Sequence, residues 1–567
     1  MEYPEPFLIL GGFFMRSKLL NLYRIIKNER NMEILSLLGL IVFSFALRFK
    51  AINPPALWYD DLWVGLIAKA HTLNDFLLVK AVSPPLFSVL QLIAIKFVPD
   101  KEIAAQFFPV LFSLAQIPLF YFLIKKITNN KWLAFFGAMI LAVSARELIV
   151  YSTRAKHYSF DSLATVLLLF FYVKFFSKRI DLKYLLLFLL LALVLFLGSF
   201  TSVIIAGIFI HILFFRIIYD WHKNYKIKRI FGRAGQLLVI LFFDIFAVFL
   251  YFKLLKVNID ADVYDYWNNF FINIRQPFFK VLIETAGKLD FFALSPFGSI
   301  WEFFINKNFE SIFLVLILLA LFFGIVYLYK NKRFGILFFI CIFYLTAIGL
   351  AMVKLYPLSG GRVDIYSYPI TILLAVCGVW QIIIFLKFSP FFQRLFFVYL
   401  YILLAIFSLF YFTGIQYPYK MNVQNYVDFI EKNLTEKDVV LLPPYTDYAF
   451  AYYTNWPITF QKYPTATGFI PIIQKDNVFA LPSVGVYSVD AQSIKYNMEY
   501  FLSEVGNFEK IYFLSSHCFA EDKKYKNYIY KEYIEKKILD DNFSLIFSTK
   551  EEDTCFLKIY QRSDGLE

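Results

Sequence analysis

Charge is scarce along this chain. Asp, Glu, Lys and Arg make up 17% of its 567 residues, 59% are hydrophobic, and the mean hydropathy is +0.60, whereas soluble domains carry roughly a quarter charged residues. That excludes an ordinary soluble domain. Histidine is sparse and scattered: His71, His157, His211, His222 and His517 contain no His-Glu-x-x-His pair, so no zinc site is predicted. There is no Gly-x-Gly-x-x-Gly after a strand and no Gly-Lys-Ser loop, which removes the backbone cradles that hold nucleotide phosphates. Asp260, Asp262 and Asp265 fail as a calcium loop, since the sixth position lacks Gly and the twelfth is Phe271; they read as a solvated acidic face. No Ser-His-Asp set can be nominated from spacing. Of the 4 cysteines, Cys341 and Cys377 fall in apolar runs and Cys518 and Cys555 in a hydrophilic tail. Two readings of the latter stand: a disulfide, if the tail lies outside the cell, or two buried thiols.

What the chain has in abundance is long apolar runs, such as Leu35 to Leu47, Leu185 to Leu197 and Ile312 to Leu328, separated by short basic clusters. This is the pattern of a polytopic membrane protein. The net charge of +13 is spread over those clusters and reads as anchoring against anionic membrane lipids, with no nucleic-acid partner. The 71 Phe and 39 Tyr suit lipid-facing and interfacial positions.

Residues 1–31 put the apolar run Phe7 to Met15 before Arg16, Lys18, Arg24, Lys27 and Arg30, the reverse of a cleavable signal, and are expected to be a cytoplasmic segment. The first span, roughly Ile34 to Phe49, then runs outward. Pro84 to Val98 is short, opens with Pro-Pro and contains Gln91 and Lys96, so it reads as an interfacial helix. Spans near Ala104 to Ile124, Trp132 to Val150, Ser159 to Phe176, Tyr184 to Leu197, Ser202 to Tyr219, Gly235 to Leu255, Ser311 to Tyr329, Phe334 to Leu355, Pro369 to Leu386 and Leu395 to Phe412 follow. On this assignment of about eleven spans nearly every basic cluster falls inside; counting Pro84 to Val98 as a crossing would put them outside. The expected division is a membrane domain over 32–413 and an extracytoplasmic α/β module over 414–567. That module has a helix near Val423 to Asn433, strands at Val439 to Leu442, Ile511 to Leu514, Leu545 to Ser548 and Cys555 to Tyr560, and a helix near Lys523 to Leu539.

Three clusters gather on the outer side of this topology. Leu57-Trp-Tyr-Asp-Asp61 sets Asp60 and Asp61 just beyond the first span, where charge near hydrocarbon marks a functional site by default. Tyr151 to Asp161 concentrates Arg154, Lys156, His157 and Asp161, and Gly360-Gly361-Arg362 sits immediately before a span. Cations held outside, against the positive-inside bias, suit a phosphorylated ligand. The structural alternatives are snorkelling at a span end for the first set and an Arg362–Asp364 pair for the second.

Trp58-Tyr-Asp-Asp61, Pro84-Pro-Leu, Tyr151-Ser-x-x-x-Lys-x-Tyr-Ser-x-Asp161 and Tyr356-Pro-Leu-x-Gly-Gly-Arg362 occur in the order found in GT-C glycosyltransferases. The chain most resembles the bacterial RgtA/B/C/D-like branch, related to protein O-mannosyltransferases and the lipid A aminoarabinose transferase. The resemblance implies an all-α GT-C-like membrane domain with interfacial helices and an external soluble domain. It also implies a polyprenyl-phosphate-linked sugar donor and a glycan, lipid or protein acceptor. By motif, Asp60 matches the family's first-loop aspartate, Asp61 stands where Glu is usual, the two being the expected catalytic acids that act on the acceptor, and Asp161 corresponds loosely to a second acidic position. Arg154, Lys156 and Arg362 are then the expected donor-phosphate ligands, and Asp60 with Asp161 the expected ligands of a divalent metal such as Mg or Mn. One departure is visible: relatives of the aminoarabinose branch carry Lys before Pro-Pro, where this chain has Ser83. A transporter of lipid or polysaccharide is the rival reading; broken helices and related halves, its usual marks, are not detected in the sequence.

Overall fold

The computed structural model describes residues 29–52, 57–79, 83–176, 180–223, 227–250, 268–298, 300, 310–358, 361–414, 423–443, 446–462, 469–480, 508–515, 543–549 and 556–563, with the side chains of 29, 51, 59, 60, 227–231, 310 and 411–414 excepted. Among the described residues nine helices are long and apolar enough to cross a membrane. Two further helices are shorter. Leu182–Gly198 is one, and Lys131–Val143 is the other, broken from Arg146–Tyr151 at Ser144 and Ala145 where a single span was expected. Together these correspond to the eleven expected spans, and the chain is a multi-pass membrane protein. Pro85–Phe97 has 13 residues, as many as Lys131–Val143, so length does not set it apart and its two faces are what distinguish it. It buries Phe87, Ser88, Gln91 and Ala94 while Val89, Leu92, Ile93 and Phe97 are exposed, the two-sided character of an interfacial helix. Phe278–Leu294 likewise exposes Phe278, Phe279, Leu282 and Ile283.

The turns are set by local chemistry. Asn129 ends the helix Lys101–Thr128 in the left-handed conformation, φ 54°, and the Asn130 side chain accepts from Trp132 N (2.9 Å) and Leu133 N (3.1 Å) to open the next helix. Small residues decide which helices approach closely. A Cβ at position 378 would lie 1.7 Å from the Ala320 carbonyl oxygen and one at 324 would lie 2.1 Å from that of Leu374, so Glu310–Lys330 packs backbone on backbone against Tyr368–Phe385.

The bundle has two chemically different ends. At one, Glu33 pairs with Lys125 at 2.5 Å and Arg333 Nη2 donates to the Ile127 carbonyl at 3.1 Å, which brings the turns bearing Lys125, Lys126, Lys131, Lys330, Lys332 and Arg333 together. At the other lie the acidic loop and the C-terminal module.

That module holds a five-stranded sheet. In chain order the strands are β1 Asp438–Leu442, β2 Ile458–Lys462, β3 Phe469–Ile473, β4 Val478–Ala480, β5 Lys510–Ser515, β6 Phe543–Ser548 and β7 Phe556–Arg562. The sheet order is β4-β1-β5-β7-β6, with β1 parallel to β4 and β5 and the last three antiparallel, while β2 and β3 pair separately. Val427 and Ile430 of the helix Gln424–Asn433 are buried in the module's core with Val440 and Leu442 of β1. The expected helix near Lys523 to Leu539, Cys518 and Cys555 lie outside the described residues, as do Asp260, Asp262 and Asp265. The sequence reading did not anticipate the helix Thr446–Tyr453, all of whose residues are buried. It docks the module on the membrane domain: Tyr453 Oη donates to Glu102 Oε1 at 2.6 Å, Tyr452 Oη to the Lys101 carbonyl at 2.9 Å, and Lys69 Nζ to the Thr454 carbonyl at 2.6 Å. Leu57, Leu62, Leu66 and Ile67 join one continuous apolar core with Val440, Tyr448 and Phe450, so the acidic loop packs into the module that covers it.

Candidate active site

Tyr59–Gly65 is a single two-turn helix that begins immediately after Trp58, and Asp61 at its third position folds back to accept from Trp58 N at 3.0 Å. The same carboxylate accepts from Ala155 N at 2.9 Å through Oδ1 and from Arg154 Nη1 at 3.2 Å through Oδ2. Asp61 is 1% exposed and Arg154 7%. This is a buried, charge-assisted clamp joining the first loop to the segment about ninety residues downstream. The Arg154 guanidinium also stands 4.9 Å from the Trp58 ring centroid, and Lys156 Nζ 5.5 Å from that of Trp63. Asp61, of the sequence-predicted acidic pair, and the Tyr151–Asp161 segment are thus in direct contact. Asp60 belongs to the same helix and its backbone follows Tyr59; its side chain lies outside the described residues.

Ser152 Oγ and Thr153 Oγ1 donate to the Ile149 and Val150 carbonyls, closing the end of Arg146–Tyr151 and turning the chain so that Arg154 and Lys156 point back at the tryptophans. His157 caps Tyr158–Phe175, packed among Phe87, Tyr158 and Phe200. Burial, reinforced by Lys156, pushes its imidazole down to about 3, so its Nε2, 3.7 Å from Asp161 Oδ2, makes a polar contact and not an ion pair. An unfolded chain takes up this proton below about 6.5 while the folded one stays neutral. Stability is therefore lost as pH falls from about 6.5 towards about 3. The thermal midpoint is expected to fall with acidification across that window, and His157→Gln to flatten the slope; an unaltered slope in the variant would remove His157 as its cause.

Asp161 is 2% exposed, and its Oδ1, like Ser83 Oγ and His157 Nδ1, is buried without a hydrogen-bond partner. Ser83, where relatives of the aminoarabinose branch carry Lys, is thus itself buried. A buried carboxylate oxygen of this kind suits a cation or a donor, but among the described residues no three His, Cys, Asp or Glu side chains come together to hold a metal ion. Arg362 opens the short 3-10 helix Arg362–Ser367 and is half-buried, with Glu147 in electrostatic reach. Gly360 lies outside the described residues. Tyr356 Oη donates to the Val363 carbonyl at 2.7 Å, and burial beside Tyr366 and Asp161 pushes its phenol well above the usual range, so it stays neutral.

One charged residue escaped the sequence reading. Arg48 is fully buried within Glu29–Ile52, donating from Nε to Ser113 Oγ at 2.8 Å and from Nη1 to the Ser44 carbonyl at 3.0 Å, the Ala142 carbonyl at 3.2 Å and Ser44 Oγ. Its signal was available as a lone Arg in an apolar run. It ties the span that leads into the acidic loop to two neighbours.

No protein-family model and no curated protein matches this chain. Among solved structures, ArnT from Cupriavidus metallidurans bound to undecaprenyl phosphate superposes with a TM-score of 0.51 at 9% identity, covering 92% of this chain and 97% of that one. The archaeal oligosaccharyltransferase AglB from Archaeoglobus fulgidus, in complex with an inhibitory peptide and a dolichol-phosphate, gives 0.46 at 13% identity over 92% of this chain and 74% of that one. The chain shares its overall fold with ArnT: a helical membrane domain followed by a C-terminal α/β module.

Proposed function

We propose that the chain is a glycosyltransferase that moves a sugar from a polyprenyl-phosphate donor to a hydroxyl of a glycan, lipid or protein on the extracytoplasmic face. The observation that carries this reading is the clamp of Asp61 on Arg154 and Ala155. It holds an acidic loop rigidly under a soluble module, at the end of the bundle opposite the basic turns. A fold shared with a protein crystallised on undecaprenyl phosphate adds support. The positive-inside rule puts the basic end in the cytoplasm and the acidic end outside. Nucleotide sugars are not available there, so the sugar must arrive on a lipid.

In this reading Asp60 takes the proton from the acceptor hydroxyl as its oxygen attacks the anomeric carbon. The bond from that carbon to the phosphate oxygen breaks, and its electron pair leaves on polyprenyl phosphate. Arg362, Lys156 and Arg154 supply the positive field for the departing phosphate. Arg362 is the most exposed of the three, while Arg154 acts chiefly by positioning Asp61. A divalent ion on Asp60 and Asp161 is the cofactor side of the proposal, and loss of transfer with a chelator and recovery with Mg or Mn would support it. The division into 1–31, 32–413 and 414–567 is part of the same proposal.

The test is an assay of transfer from defined polyprenyl-phosphate sugars by purified, lipid-reconstituted protein. Movement of the lipid-linked sugar across the bilayer without a new glycosidic bond would favour the transporter instead. Orientation is checked separately. With the four natural cysteines replaced, a cysteine at Asp476 is expected to react with a membrane-impermeant thiol reagent in intact cells and one at Asn129 to resist it. The reverse labelling would put the site on the wrong side for this donor.

A further inference from the structure

At the basic end of the bundle, far from the acidic loop, a cavity of about 300 Å3 opens between Tyr158–Phe175, Ser202–Lys223 and the start of Phe334–Met352. That is the lower end of the usual range for ligand sites, about 300–1,000 Å3. Tyr172 and Phe176 form an aromatic wall, Arg216, Lys332 and Arg333 line it, and none of its described lining residues is acidic. Two of these cations are already oriented. Arg216 Nη1 donates to the Phe176 carbonyl and Arg333 Nη2 to the Ile127 carbonyl at 3.1 Å, which fixes the planes of both guanidinium forks. Gly335 contributes space: a Cβ there would stand 2.8 Å from the Tyr172 hydroxyl, so any larger residue would press that hydroxyl out of the wall. Three cations line one concavity, and the field they set up there favours an anion. Two oriented forks and a mobile ammonium match the oxygens of a phosphate, and the peptide N–H groups at the start of Phe334–Met352 add to the same field.

We propose that this cavity binds a phosphate group, the headgroup of an anionic phospholipid or a free phosphate, at a site separate from the transfer site and independent of the proposed reaction. Basic pockets between membrane helices on the cytoplasmic side favour anionic headgroups, and the aromatic wall suits the glycerol and upper acyl carbons of a lipid. Binding of this electrostatic kind weakens with salt.

The experiment titrates full-length protein in neutral detergent with short-chain phosphatidylglycerol, phosphatidylcholine or inorganic phosphate, reading the thermal midpoint and the lipid retained in native mass spectrometry. Phosphatidylglycerol is expected to raise the midpoint and be retained, and phosphatidylcholine to do neither. Lys332→Asn serves as the first variant, because Lys332 is exposed and has φ 54°, a conformation Asn tolerates, so the fold is preserved. It should weaken the apparent affinity about fivefold, the scale of one cation at an anionic surface, and adding Arg333→Gln should abolish retention. An equal midpoint shift with inorganic phosphate would support the site with the free anion as its source. Equal response to both lipids, or full retention in the double variant, would overturn the proposal without touching the assignment of sugar transfer.

Discussion

Asp60→Asn is expected to lower sugar transfer by about a hundredfold or more while leaving expression and folding near wild type, the scale of losing a general base. The amide matches the carboxylate in shape and cannot take a proton. The neighbouring carboxylate cannot substitute for it, because Asp61 already spends its oxygens on Trp58 N, Ala155 N and Arg154 Nη1 and is 1% exposed. A base needs a lone pair facing the acceptor, and of the two adjacent acids only Asp60 is left for that role. Single-turnover rates with saturating polyprenyl-phosphate sugar measure the chemical step directly. A variant that turns over at the wild-type rate would take Asp60 out of the mechanism and leave Asp161 as the acid to test next.

Asp61→Ala should act on the fold first. Removing one partner of a buried pair leaves the other charge uncompensated, and the loss is about 3–5 kcal/mol. Arg154, 7% exposed and held against Trp58, would be stranded, and Ala155 N and Trp58 N would lose their acceptor. The thermal midpoint in detergent is expected to drop sharply, with activity falling because the loop bearing Asp60 loosens. Arg154→Met alone should also destabilise, whereas Asp61→Asn combined with Arg154→Met should recover most of the loss, since a neutral pair of similar volume leaves no buried charge. If both single variants unfold at the wild-type temperature, the clamp contributes nothing and the rigid-loop basis of the proposed site fails.

Much of the architecture was readable from one dimension because the bilayer acts on one dimension. A run of about twenty apolar residues must cross as a helix, and lysines and arginines report which turns share a side. The runs near Ser202 to Tyr219 and Ser311 to Tyr329 follow from length and charge alone, and they reappear as Ser202–Lys223 and Glu310–Lys330. Strands Asp438–Leu442 and Lys510–Ser515 were equally legible, being short apolar runs between polar turns. Trp132 to Val150 was less so. Ser144, Arg146 and Glu147 interrupt its apolar run, a signal the expected single span passed over, and the chain divides there into two helices.

The sequence by itself also determined that an acidic pair, a cationic segment and a Gly-Gly-Arg turn would face one compartment, since each follows a span whose direction the basic turns set. Only the tertiary structure distinguishes the two acids by their surroundings. Asp60 and Asp61 are adjacent and chemically identical, and what separates them is that residues from far along the chain, Arg154 and Ala155, reach one carboxylate and bury it. The same holds for Thr446–Tyr453, whose apolar residues are unremarkable in one dimension yet roof the acidic loop, and for Arg216, Lys332 and Arg333, ordinary inside charges until folding places them around one cavity. Hydrophobic length and net charge are properties of segments and survive in the string. Desolvation and pairing depend on which distant groups arrive at the same point, and that information exists only once the chain is folded.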